Sequence, residues 1–166
     1  MEINFSIFFL SAIVPLVVGF IWYNPKTFGN AWMNAAGVTS ESAKGANMFL
    51  VFGLTYLFSV FASVGLFSLV NHSSHMFSLL SDEPGFKVPS SAVGLYLSDF
   101  MKTYGHHFHS FKHGVLHGTI GGITFALPVI AVNALFERKG FKYVAINAGF
   151  WIVCFAIMGG IICQFA

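Results

Sequence analysis

The sequence predicts an all-α membrane protein, a bundle of four transmembrane helices, and three observations point to it. Four apolar runs, 5–23, 48–70, 114–136 and 143–166, contain no Asp, Glu, Lys or Arg. At 1.5 Å per helical residue, about 20 residues cross roughly 30 Å of hydrocarbon, so each run is long enough to span a bilayer. The composition agrees: 56% of residues are hydrophobic, 8% are charged and Phe alone occurs 21 times. A water-soluble domain of this size could not keep so much apolar surface inside. Aromatic residues with polar handles also crowd the end of the first run, as they do at headgroup depth. The whole chain, 1–166, reads as one integral membrane domain with helices at about 5–23, 41–70, 109–136 and 143–165. Its net charge of +2 is too small and dispersed for a nucleic-acid surface.

The first helix begins after Met1-Glu2-Ile3-Asn4 and lacks the basic flank and small-residue cleavage site of a secretory signal, so it is expected to stay in the mature protein. Pro15 is expected to kink it. Trp22, Tyr23 and Trp32, with Phe28 between them, are expected to anchor the chain at the membrane interface, while Pro25 stops the helix and Gly29 tolerates an unusual turn. Thr39 or Ser40 then caps a second helix with Glu41 in its positive first turn.

The long link from 72 to 109 is polar at its start and turns at Asp82-Glu83-Pro84-Gly85. Val93, Leu97, Phe100, Met101 and Tyr104 then recur at helical steps between Ser91, a cap, and Gly105, a stop. This pattern predicts a short amphipathic helix lying on the outer leaflet or capping the bundle, with a ligand-binding lid as the alternative.

The third helix carries Gly114, Gly118, Gly122 and Ala126 at four-residue intervals, with Gly121 beside them. Apolar lipid gives helices no hydrophobic reason to associate, so close approach at small residues supplies much of the contact energy. The third helix is therefore expected to be the central packing helix, against the pairs Ala145 with Gly149 and Ala156 with Gly160 on the fourth. A glycine-lined pore or cofactor pocket is the rarer alternative. Pro128 should kink it. In the fourth helix Cys154 and Cys163 stand about 13 Å apart along the axis on opposite faces, too far to pair. A shift of 113 residues superposes Pro15, Lys26 and Phe28 on Pro128, Lys139 and Phe141, whereas Ala12 meets Phe125. Two parallel helical hairpins would suit that echo.

Charge orients the bundle. Lys26, Lys44, Arg138, Lys139 and Lys142 lie in the two short links, against Lys87, Lys102 and Lys112 on the opposite side. The short links are accordingly expected in the cytoplasm, and both termini outside.

All seven histidines fall on that outer side. His109, His113 and His117 form an i, i+4, i+8 stripe, a spacing that lets imidazoles grip a divalent metal. Three uses are open: interfacial hydrogen bonding, metal binding, and proton sensing. No Asp, Glu or Cys stands nearby in sequence to complete a metal site. No haem is expected, because no other helix holds a histidine within its apolar run.

No charged group lies in mid-membrane and no catalytic motif occurs, so the expectation is a non-enzymatic protein. It would act through helix packing, as a homo-oligomer or as an accessory subunit of a membrane complex. The alternative is a small transporter or channel whose histidine-rich outer mouth binds a metal ion or proton. A membrane enzyme acting on lipid or quinone is a third reading.

The stretches Gly19-Phe20-Ile21-Trp22-Tyr23-Asn24-Pro25 and Phe28-Gly29-Asn30-Ala31-Trp32-Met33 carry a resemblance. So do Ala126-Leu127-Pro128, Asn133-Ala134-Leu135-Phe136-Glu137-Arg138 and Ile146-Asn147-Ala148-Gly149-Phe150-Trp151. Together they resemble a family of small bacterial membrane proteins catalogued as domain of unknown function 1761. The family pattern is an aromatic pair, a Ser-Pro or similar turn, a Phe-Gly and a Trp, and Asn24 replaces the Ser here. The resemblance covers essentially the whole chain, least well at the histidine-bearing link. It implies four helices and a bacterial inner membrane, and it implies no activity.

Overall fold

Many phenylalanines face outward and several hydroxyls inward. In the computed structural model, which describes residues 3–43 and 45–166, Phe20, Phe49, Phe136 and Phe141 are largely exposed while Ser11, Ser59, Ser63 and Asn71 are buried. This inversion suits a lipid surround, where polar groups must be satisfied inside the protein and apolar side chains meet the acyl chains. Ser63 Oγ donates to the Phe8 carbonyl at 3.1 Å and lies 3.1 Å from Ser11 Oγ, so the buried hydroxyls bond to one another and to backbone.

The described residues are helical, without strands. In chain order the elements are α1 (Ser6–Ser11), α2 (Val14–Trp22), α3 (Gly29–Ala36), α4 (Ser40–Ala43), α5 (Met48–Val70) and α6 (Ser73–Leu79). They continue as α7 (Ala92–Tyr104), α8 (Phe111–Gly121), a π turn (Gly122–Ala126), α9 (Leu127–Phe136) and α10 (Phe141–Phe165). Three helices are long and apolar enough to cross a membrane: α5, the continuous Phe111–Phe136 and α10. The first apolar segment, Ser6–Trp22, is shorter. It is broken between α1 and α2, where Pro15 supplies no N–H to the Ser11 carbonyl one turn earlier.

Several boundaries differ from expectation. The second long helix starts at Met48, where Asn47 accepts from the Leu50 N–H, and not at residue 41. Thr39 does act as a cap, since its hydroxyl accepts from the Ser42 N–H at 3.2 Å, but the helix it opens is the separate four-residue α4 with Glu41 in its first turn. Lys44, counted among the orienting charges, lies outside the described residues. The amphipathic helix of the long link forms as α7, with Ser91 Oγ accepting from the Gly94 N–H and Gly105 at its end. Pro128 leads to a π turn, which widens the helix just ahead of the residue that cannot donate.

The central helix is α10, not the third. Half of its most apolar stretch is buried, 50% against 17% for each of the other two long spans, and it touches every segment from α1 to α9 except α4, α6 and α7 in quantity. Its heaviest contact is with α8. A methyl group added to Gly114 or Gly118 would collide with the carbonyl oxygens of Gly159 and Phe155, and one on Gly122 would stand 2.7 Å from the Cα of Ile152. The glycine ladder is thus used inside the chain, against α10 backbone. Of the partner residues expected on α10, Ala156 lies under Gly118, but Gly160 meets the Phe111 ring and Gly149 meets Trp22. Ala126, the fourth rung, ends the π turn and is half-buried.

The aromatic anchors also dock on α10. Trp22 Nε1 donates to the Ile146 carbonyl at 3.1 Å, and Tyr23 Oη and Trp32 Nε1 both donate to Asn147 Oδ1 at 3.1 and 3.2 Å. Lys139 donates to the Ala36 carbonyl, which joins the two short links at one end of the bundle. At the other end the Phe111 N–H donates to Gln164 Oε1, and Cys163, one of two free buried cysteines, lies 3.3 Å from the carbonyls of Val70 and Phe108.

Candidate metal centre

The histidine site is built where α5 ends and α8 begins. Asn71 caps the α5 C-terminus and is buried, and its side chain accepts from the Ser74 N–H, so the next residue, His72, is thrown outward at the rim. Ser110 takes an extended conformation and its hydroxyl accepts from the His113 N–H, which starts α8 at Phe111. From there His113 and His117 lie one helical turn apart on one face.

These three imidazoles converge. The ligand atoms of His72, His113 and His117 all lie within 4.8 Å of one another, and His113 Nε2 stands 3.2 Å from His72 Nε2. Two ligands about 2.0–2.1 Å from a tetrahedral zinc are themselves roughly 3.3 Å apart, so the His72–His113 pair, which shares a proton in a hydrogen bond, has the spacing of bound ligands once that proton leaves. His117 faces both: its ring centroid is 4.4 Å from that of His113 and 4.8 Å from that of His72. Small side-chain rotations would bring the third nitrogen into range.

Of the expected stripe, His113 and His117 are brought together and His109 is not. The helix begins after it, because Ser110 is the cap and Phe108 takes a left-handed conformation at φ 64. His109 Nε2 instead lies 3.3 Å from Ser73 Oγ. Ser73 gives its one proton to the Gly105 carbonyl, so His109 Nε2 is the donor in that pair, and His109 stands outside the cluster formed by His72, His113 and His117. Its place is taken by His72, from a segment 41 residues away in sequence from His113. Spacing along one helix could not reveal a partner from another. The signal for the boundary was there, however, in the Ser110 hydroxyl immediately ahead of an apolar helix.

Electrostatics favour the uncharged imidazole. Burial, followed by repulsion from His117, His75 and His109, lowers the pKa of His72 from its ordinary 6.5. Neutral rings are the metal-binding form, and three of them with no carboxylate or thiolate among them suit a divalent or monovalent transition metal more than Ca²⁺ or Mg²⁺, which take oxygen. With three protein ligands, a fourth position stays open to water or a passing group.

A family model described as a protein of unknown function, DUF1761, matches residues 6–163. No curated protein and no solved structure matches the chain. With all but its extreme ends covered by that model, the chain belongs to the DUF1761 family.

Proposed function

We propose that this protein is a multi-pass membrane protein that captures a transition-metal ion at one rim of its bundle, through His72, His113 and His117. The observation that supports this reading is the convergence of three imidazole nitrogens from two separate helix ends. It favours the metal-binding mouth over packing alone, because the glycine ladder that suggested assembly is occupied by α10. The bilayer is the first partner, and we read the membrane as a bacterial inner membrane, crossed four times with the histidine rim and termini outside. No reaction is assigned to it, so it acts by binding.

Isothermal titration of the purified protein with Zn²⁺ tests the site. Wild type should bind one equivalent, and the His72→Ala, His113→Ala, His117→Ala triple variant should lose about 100-fold or more in affinity. His109→Ala should bind as wild type does. Equal heats from wild type and triple variant would end the proposal.

A homo-oligomer or an accessory subunit of a membrane complex is the second reading, and one observation favours it. On α5, whose most apolar window is 17% buried like that of Phe111–Phe136, Phe49, Phe52, Phe58 and Phe61 are all exposed around the helix, where another chain could cover them. Light scattering in native lipid reads it directly, and a particle with the mass of one chain would remove it.

A further inference from the structure

Two of the three tryptophans have hydrogen-bond acceptors and the third does not. Trp22 and Trp32 donate to the Ile146 carbonyl and to Asn147 Oδ1, whereas the Trp151 indole N–H meets no acceptor among the described residues. No buried side-chain nitrogen or oxygen among those residues lacks a partner, so this N–H stands at an accessible surface of the protein. Nine residues past Lys142, Trp151 lies about 14 Å along α10, close to half of a hydrocarbon core roughly 30 Å thick. Water does not bond a donor at that depth, and an unmet N–H in hydrocarbon costs free energy.

Trp151 lines a cleft of about 910 Å³ formed by α2, α5 and α10, at the end of the bundle opposite the histidines. Phe20, Tyr23, Phe52 and Phe150 give the cleft aromatic walls, and Phe20 and Phe52 are exposed, so it opens sideways to lipid. Gly19 keeps it wide, since a Cβ there would already stand 3.7 Å from the Phe150 ring. Thr55 gives its proton to the Val51 carbonyl and Tyr23 gives its own to Asn147, so neither hydroxyl donates into the cleft. Asn24 lies at the interfacial end. Trp151 is thus the free donor at mid-membrane depth.

An acyl chain would fill this space and leave the indole unpaired, and phospholipid ester carbonyls stay at headgroup depth. A flat lipophilic ring that carries a carbonyl meets both demands: its oxygen accepts from the N–H and its face packs on the aromatic walls. We propose that the cleft binds the head of a membrane-soluble quinone, with Trp151 Nε1 donating to one carbonyl oxygen and the hydrocarbon tail leaving through the open side. The quinone enters and leaves in the same oxidation state. The site shares no residue with the histidine rim and does not rest on it.

The test uses the intact protein in nanodiscs of saturated phosphatidylcholine, with empty nanodiscs as the blank. The probe is a decyl-substituted para-benzoquinone, isotope-labelled at its carbonyls; equilibrium dialysis reads its uptake and infrared difference spectra read its carbonyl stretch. Wild type should take up one equivalent beyond partition into lipid, with a carbonyl band moved to lower frequency by the hydrogen bond. Trp151→Phe keeps an aromatic ring and removes the N–H, so it should bind about tenfold more weakly and lose the shifted band. Gly19→Leu should fill the cleft and abolish saturable uptake. Melting followed by circular dichroism checks that both variants stay folded. Decylbenzene, which has ring and chain but no carbonyl, should not displace the quinone from wild type at equal concentration. Wild-type uptake no greater than that of empty nanodiscs, an unshifted band, or equal affinity in Trp151→Phe would overturn the site and leave the cleft to acyl chains. The His72, His113, His117 triple variant should take up quinone as wild type does, so loss of Zn²⁺ binding and loss of quinone binding are read separately.

Discussion

His72 is the residue on which the rim depends, and it was the hardest to find. A stripe at i, i+4, i+8 pointed to His109, His113 and His117, and two of these three lie together in the fold. The third stands apart because a single Ser110 hydroxyl fixes the helix start, turning His109 toward Ser73 instead. His72 replaces it only through a tertiary contact between two helix ends, which no spacing in the chain encodes. Its surroundings make a prediction about pH. The unfolded chain binds a proton on this ring near the ordinary value of 6.5, whereas the folded rim resists protonation through burial and three neighbouring imidazoles. The folded state therefore takes up fewer protons, so stability from this residue is full above pH 6.5 and falls as the pH drops toward the lower native value. In metal-free protein, the His72 ring resonance should titrate below 6.5, and the melting temperature of His72→Asn should fall less than that of wild type between pH 7 and 5.5. A His72 midpoint at or above 6.5 would contradict the packing described for the rim. The effect should be small, because the ring is only slightly buried and solvent screens it.

At the scale of elements, helix faces were easier to recognise than their partners. The amphipathic period of α7, its Ser91 cap and its Gly105 stop all form as the residues dictate, since each is a local matter of periodicity and capping. The glycine row on α8 was equally plain, but its counterpart was expected to be another small-residue row. That holds in part, since Ala156 and Gly159 of α10 meet the row, but Gly159 stands one residue from the expected Gly160, and Phe155 offers only its carbonyl, a backbone group with no side-chain signature to read. The same reason hid the centrality of α10, whose buried Ile146, Phe150, Cys154, Met158 and Ile162 form a seam indistinguishable in composition from a lipid-facing one. The distinction predicts how the ladder responds to bulk. Gly118→Leu forces a branched side chain into the Phe155 carbonyl, so the two helices must separate. Overpacking of this kind costs about 1–3 kcal/mol, a large part of a protein's total stability. The variant should melt several degrees lower in mild detergent and keep the particle mass of wild type, because the contact it breaks is internal. A lower mass with unchanged melting would place the ladder between chains instead.

For the whole molecule, the arrangement of ends is the remaining question, and the contacts argue it without reference to charge. Lys139 on the Ala36 carbonyl puts the links after α2 and after α9 at one end; Gln164 on the Phe111 N–H and His72 on His113 put the α10 C-terminus and the histidine rim at the other. The first segment is short as helices go, 17 residues or about 25 Å, less than the hydrocarbon thickness. Yet it reaches nearly from one end to the other. Near its start Phe8 packs on Phe67, one turn from the rim end of α5, and at its finish Trp22 and Tyr23 bond to α10 at Ile146 and Asn147, beside the lysine end. A helix that short can cross if the bilayer thins locally or if its interfacial aromatics settle inward, at a modest cost per ångström of mismatch. Its packing therefore predicts a fourth crossing, with the start of α1 and the end of α10 on the histidine side and Arg138 on the far face. Reporter tags that fluoresce only in the cytoplasm should stay dark on Met1 and on Ala166 and light up when inserted after Arg138, where Lys139 and Lys142 agree with a cytoplasmic turn. Opposite reports from Met1 and Ala166 would mean three crossings, with Ser6–Trp22 lying in the interface.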